Sequence, residues 1–347
     1  MIAAAASNQY VSAAQLADNL PGVKGAANGN LAAVAGQIPG PDDGVNYKWI
    51  VNPAFNLTPT AAVNGSEAAG WAFLPTVPGF DLREDLRVLN KYGNESGIMP
   101  YYLSQQDPTQ IKRFIVVLPG KPRDIWKYAN YMLNARNIPV GQQSAPWNTW
   151  GVTNNSVGIV APAFLNLEDR TAGACKADYL CFSKSLWQEG GESKLPVMNH
   201  SISSFTALDA ILDTLFNKTL YPALNQVVVA GHSLGGQATQ RYAVMKKTKA
   251  YDSNVRFWIG NPGSWVWLSS NRPYNNGTCN GTYGQWPYGF TQNTNKITKY
   301  ARKDITVDGG KQVIQRFQGR TVAYALALFD TGTGDTHCEA DWQGSNQ

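Results

Sequence analysis

The chain has 347 residues, 43% of them apolar, which is enough for a sizeable core in one large domain or two. Charged residues make up 15% and the net charge is +5, with Lys and Arg scattered rather than clustered, so no nucleic-acid footprint is present. No apolar run approaches the roughly 18 residues of a membrane span, so no transmembrane helix is expected.

Met1 to Ser7 hold an alanine run without a basic start or a long apolar stretch. Such an opening fits a chain whose leader has been removed, one whose Met1 is foreign to it, or a cytosolic one. Residues 1–80 are rich in Ala, Gly, Asn and Pro and read as an extended N-terminal arm or cap. Residues 81–347 read as the main domain, without an internal repeat.

From about residue 85 strands and helices alternate. Arg87–Tyr92 and Ile98–Ser104 predict two short strands joined through Gly93-Asn94 and Gly97. Phe114–Leu118 is a continuous apolar strand ending in Pro119-Gly120. Asp124–Arg136 places Ile125, Tyr128, Ala129, Met132 and Leu133 at helical spacing. Val157–Ala161 predicts a buried strand, and Ser203–Phe216 a helix with Phe205, Leu208, Ile211, Leu212, Leu215 and Phe216 on one face. Strands follow at Asn225–Ala230, Val255–Ile259 and Thr321–Phe329. Continuous apolar strands separated by helices predict an α/β fold, with a mostly parallel central sheet flanked by helices. Ligands of such sheets bind at the carboxyl ends of the strands.

The most informative residues are Gly231-His232-Ser233-Leu234-Gly235-Gly236. They end an apolar run and open a segment of helical composition, Gln237–Lys247. Strand, sharp turn and helix with serine at the apex form a nucleophile elbow, and the strained turn needs small residues on either side. Ser233 is the candidate nucleophile, and the Leu234 N–H at a helix start is an oxyanion donor. The alternative is a structural glycine-rich turn.

A serine nucleophile needs a base and a group that orients the base. The chain has three histidines. His232 lies inside the elbow and suits packing. His200 lies in a sequon ahead of a helix and suits a surface loop. His337 is the one that follows the last clear strand, as the order serine, acid, histidine requires. For the acid, Asp330 closes the Thr321–Phe329 strand, and Asp304, Asp308 and Asp335 are alternatives. The second oxyanion donor is expected in the loop Pro119–Asp124. Pro122 has no N–H to give, Gly120 allows close approach, and Lys121 is the best donor. An ordinary strand-to-helix turn is the alternative.

Ser264–Phe290 is irregular and aromatic, with Trp265, Trp286 and Tyr288 among its rings. It reads as part of a lid-like insertion over residues 263–300 that binds an apolar substrate part, or equally as packing over the sheet. Glycosylation sequons occur at Asn56, Asn64, Asn94, Asn154, Asn199, Asn217, Asn276 and Asn280. The cysteines are Cys175, Cys181, Cys279 and Cys338, with no metal-type spacing. Cys175 and Cys181 suit a small loop, although three connectivities are open. Sequons and even cysteines favour secretion over four free thiols in a cytosolic enzyme.

Elbow, Pro119-Gly120 loop and strand order together resemble the α/β-hydrolase superfamily over residues 85–340. More narrowly, Gly260-Asn261-Pro262, Tyr288-Gly289 and Asp335-Thr336-His337-Cys338 followed by Gln343-Gly344 resemble a group of secreted, mostly fungal esterase- and lipase-like serine hydrolases. The resemblance implies Ser233 as nucleophile, Asp330 as acid and a Cys279–Cys338 bridge. It also implies hydrolysis of a small-molecule or lipid carboxylic ester through an acyl-enzyme, with no metal or organic cofactor. In that group the catalytic histidine is expected after a further strand and helix beyond the Gln-Gly position, whereas His337 lies only seven positions past Asp330. The base therefore lies beyond Gln347, or is His337 in a shortened fold, or the chain is an impaired relative. An acyltransferase of natural-product metabolism and a non-catalytic binding protein stay open as other functions.

Overall fold

Apolar, β-branched runs build the centre of this molecule, seen in a computed structural model that describes residues 63–141, 151–271 and 283–325. Among these residues seven strands form one sheet: β1 (Phe80–Arg83), β2 (Tyr101–Ser104), β3 (Arg113–Leu118), β4 (Val157–Pro162), β5 (Gln226–His232), β6 (Val255–Gly260) and β7 (Thr321–Ala325). From edge to edge they run β1, β2, β4, β3, β5, β6, β7. β2 is antiparallel to both of its neighbours, and β4, β3, β5, β6 and β7 are mutually parallel. The middle strands are covered on both faces, which is why all six residues of β4 are buried and why these runs are continuously apolar. Register brings Val227 of β5 between Phe114 of β3 and Val255 of β6.

The helices are α1 (Ile125–Gly141), α2 (Leu167–Ala172), α3 (Ser204–Leu215), α4 (Leu234–Met245), α5 (Arg302–Asp308) and α6 (Lys311–Gln318). In α3 the stripe Phe205, Leu208, Ile211, Leu212 and Leu215 is buried, and the Ser203 hydroxyl accepts the Phe205 N–H as N-cap. In α4 every residue except Gln237 is buried, so it is the central helix of its layer. One core lies between α3, α4 and the sheet. A second lies on the opposite face, where Val117, Ile159 and Ala161 meet Ile125, Trp126 and Ala129 of α1. Trp71 joins that second core. It meets Trp126 edge-on at 5.0 Å, and its indole N–H donates to the Pro122 carbonyl.

The expected strand Ile98–Ser104 divides at Pro100. Ser96–Ile98 pairs with Arg87–Leu89 in a separate antiparallel hairpin, while Tyr101–Ser104 enters the main sheet as β2. Proline has no N–H for a continuous ladder. The hairpin turn is closed by Asn90, whose amide donates to Asn94 and Glu95 and whose carbonyl accepts the Tyr92 N–H. The elements β1, α2, α5 and α6 are additions to the expected set. Of the expected strand Thr321–Phe329, Thr321–Ala325 is seen, and 326–329 lie outside the described residues. Cys175 and Cys181 are joined in a disulfide, and Cys279 and Cys338 lie outside the described residues. No helix among the described residues is long and apolar enough to cross a membrane.

Candidate active site

Ser233 sits between β5 and α4 with φ 56° and ψ −123°, a conformation that a residue with a side chain adopts only under constraint. The constraint comes from backbone crowding. A Cβ on Gly231 would lie 2.1 Å from the Gly235 carbonyl oxygen, so the turn closes only with glycine there. A Cβ on Gly235 would lie 2.6 Å from the Leu118 oxygen and 2.7 Å from the Pro119 oxygen. That contact also shows the start of α4 lying directly on the loop after β3. The Ser233 N–H donates to the Gly260 carbonyl at 3.0 Å, so the end of β6 grips the apex from the other side. Ser233 itself is half-buried, at the carboxyl edge of the sheet.

The loop carrying Lys121 is held differently. Arg123 has φ 64°, its N–H donates to the Gly120 carbonyl at 3.1 Å, and its guanidinium makes two contacts with the Asp169 carboxylate, at 2.8 and 3.1 Å. Both side chains are buried. Arg123 also donates to the Glu67 carbonyl at 2.9 Å and the Lys121 carbonyl at 3.4 Å. Asp169 accepts the N–H groups of Trp71 and Asn166 besides. The Lys121 ammonium pairs with Glu67 at the surface.

The other expected residues fall as follows. His232 is exposed. His200 is exposed, packs its ring edge-on against Tyr92 at 4.3 Å, and donates its N–H to Glu95, as suits a surface loop. Asp304 pairs with Arg316, and Asp308 accepts the Gly310 and Gln312 N–H groups at the start of α6, so both serve helix ends. Asp330, Asp335 and His337 lie outside the described residues, as do Asn56, Asn276 and Asn280. The described sequon residues Asn64, Asn94, Asn154, Asn199 and Asn217 are all exposed. Trp286 is buried in the main core and donates its indole N–H to the Glu189 carbonyl at 3.0 Å, so it packs rather than lines a cleft. Trp265 and Tyr288 are half-buried. Trp265 meets Tyr324 of β7 edge-on at 5.9 Å.

Two groups of residues escape local sequence reading. The Arg123–Asp169 pair is separated by 46 positions and has no motif. On α4, Gln237, Gln240 and Arg241 reach the segment after β6, and their spacing of three and four along one helix was an available signal. Burial brings the Arg241 guanidinium down to about 10, against the opposing charge of Glu189. Burial pushes the Glu189 carboxyl up, against the pull of Arg241.

No family model matches the chain, and no curated protein matches it. Solved structures resemble it at a distance. The poly(aspartic acid) hydrolase-1 of Sphingomonas sp. KT-1 is 17% identical, with 78% of this chain and 81% of that one covered, at a TM-score of 0.46. LpqC, a poly(3-hydroxybutyrate) depolymerase of Bordetella parapertussis, is 13% identical over 72% and 82% of the two chains, at 0.37. The siderophore hydrolase EstB of Aspergillus nidulans is 13% identical over 73% and 89%, at 0.31. The chain's own sheet decides the matter. With its order β1, β2, β4, β3, β5, β6, β7, its antiparallel β2 and a strained serine between β5 and the next helix, this chain has the α/β-hydrolase fold.

Proposed function

We propose that the protein is a serine-dependent carboxylic ester hydrolase. The observation that carries this reading is the strained conformation of Ser233 at the carboxyl end of β5, with helix α4 starting at the next residue. A serine held off its preferred backbone geometry by glycine-only contacts is presented, not packed. In this reading Ser233 Oγ attacks the ester carbonyl while a histidine takes its proton and passes it to the leaving alcohol. That histidine is His337 if it lies within residues 1–347, and Asp330 holds its ring in the required tautomer. The N–H groups of Leu234 and Lys121 stabilise the oxyanion of the tetrahedral intermediate. Expulsion of the alcohol gives an acyl-serine, and water attacks it with the same histidine as base. Support for two converging donors comes from the contact of Gly235 with the Leu118 and Pro119 carbonyls, which brings both loops together.

The test is an intact-mass spectrum before and after a fluorophosphonate probe. One adduct mapped to Ser233 is expected. Ser233→Ala removes it and lowers ester hydrolysis by about a million-fold. Labelling that survives His337→Asn removes His337 from the mechanism. A wild-type protein that takes no probe and hydrolyses no ester overturns the reading.

A further inference from the structure

The segment that leaves β6 has no strand ladder of its own, so its polar backbone must find partners elsewhere. Helix α4 supplies them. Gln240 grips Val266 at both backbone atoms, donating to its carbonyl at 3.1 Å and accepting its N–H at 2.9 Å. Arg241 donates from Nε to the Pro287 carbonyl at 3.1 Å, from Nη2 to the Ser264 hydroxyl at 2.9 Å, and from Nη1 to Gln237 Oε1 at 3.0 Å. Ser264 completes the ring by donating to Gln237 Oε1 at 3.0 Å. The Tyr288 ring centre lies 6.0 Å from the guanidinium carbon. The Trp267 N–H donates to the Tyr288 carbonyl at 2.9 Å, which ties residues 264–267 to residues 287–288.

The location gives this clamp its meaning. Gln237 is one helical turn past Ser233, and its N–H donates to the Ser233 carbonyl at 3.0 Å. Ser264 is four residues past Gly260, whose carbonyl accepts the Ser233 N–H. The same segment carries the half-buried rings of Trp265 and Tyr288. A wholly buried guanidinium is an expensive way to fill a helix interior, where Leu or Met would pack at lower cost. What it adds is position, because its planar fork fixes two separate stretches of irregular chain against one helix.

We propose that Arg241 is a positioning residue that fixes the 264–267 and 287–288 stretches to the nucleophile helix as one wall of the acyl-binding pocket. This rests on Ser233 being the nucleophile. The wall selects long apolar acyl groups, which touch it, over acetyl, which does not reach it.

Steady-state kinetics on p-nitrophenyl acetate and p-nitrophenyl octanoate test this, with fluorophosphonate labelling of each variant as a check on Ser233. In Arg241→Met, KM for the octanoate rises about tenfold, as expected for loss of charged hydrogen bonds in a buried clamp. Its kcat, and both constants for the acetate, stay within about twofold. Ser264→Ala removes one arm of the clamp and raises the octanoate KM about threefold. Should Arg241→Met not fold, Ser264→Ala and Gln240→Leu carry the same comparison. Equal losses on both esters, or no change on either, overturn the proposal while leaving the nucleophile in place. A wild-type protein with neither labelling nor turnover instead overturns the reading of Ser233, and this proposal with it.

Discussion

The two loops at the carboxyl edge of the sheet lie against each other and are held in opposite ways. The elbow, residues 231–236, is fixed by backbone against backbone: Gly231 and Gly235 are glycine because carbonyl oxygens occupy the space of a side chain. The loop Pro119–Asp124 is fixed by a side chain, the Arg123 guanidinium, which spans to Asp169, Glu67 and Lys121. The first device is local and steric, so it leaves a fixed spacing in the sequence. The second is long-range and electrostatic, and can be built from any two positions that the fold brings together. The loops should therefore break differently.

The largest effect is expected at the ion pair. Arg123→Met strands a buried carboxylate and is expected to cost about 3–5 kcal/mol of stability, measured by urea unfolding. Charge removal on both sides, in Arg123→Met with Asp169→Asn, recovers part of the loss. If the Lys121 N–H is the oxyanion donor proposed above, kcat in the single variant also falls, about tenfold or more. Unfolding that is unchanged by Arg123→Met would mean that the pair does not anchor the loop. A smaller effect is expected at the contact between the loops. In Gly235→Ala the new methyl meets the Leu118 and Pro119 oxygens, which costs about 1–3 kcal/mol. On the proposed mechanism it also slows fluorophosphonate labelling, because both proposed donors shift at once. Labelling at the wild-type rate would show that the loops move independently.

The same contrast explains what the sequence revealed. β3, β4 and β5 were legible because burial on both faces leaves only apolar residues, as Val157–Pro162 shows. The strained turn at Ser233 was legible because it demands glycine at set offsets. β1 was not, being four residues at a sheet edge with only Phe80 buried. Nor were α5 and α6, short helices broken by Gly309-Gly310, with Ile305 and Val313 as their buried residues. The single run Ile98–Ser104 was misread because periodicity alone does not register the missing N–H of Pro100. Arg123 and Asp169 look like ordinary surface charges until the loop after β3 and helix α2 are brought together. The aromatic segment was legible as a feature but not residue by residue: Trp286 is core, and the rings of Trp265 and Tyr288 are only half-buried.

A second, half-buried carboxylate sharpens the contrast. Asp169 faces a guanidinium, whereas Asp209 of α3 accepts from two phenols, Tyr242 of α4 and Tyr300, each at 2.7 Å. Burial pushes the Asp209 carboxyl above its ordinary range, outweighing the two phenol hydrogen bonds and the nearby charges of Lys246 and Lys249. A raised folded-state value means that the folded protein holds this proton more tightly than the unfolded chain does. The contribution to stability is then full below the unfolded value of about 4 and is lost as pH rises through the folded one. Asp209→Asn has no proton to lose. Its stability relative to wild type should therefore improve steadily as pH rises from below about 4 toward neutrality, on top of a constant offset for the altered hydrogen bonds. Urea unfolding of both proteins across that range reads the difference. A gap between the two that stays the same at every pH would show that the phenols stabilise the ionised form as well as water does.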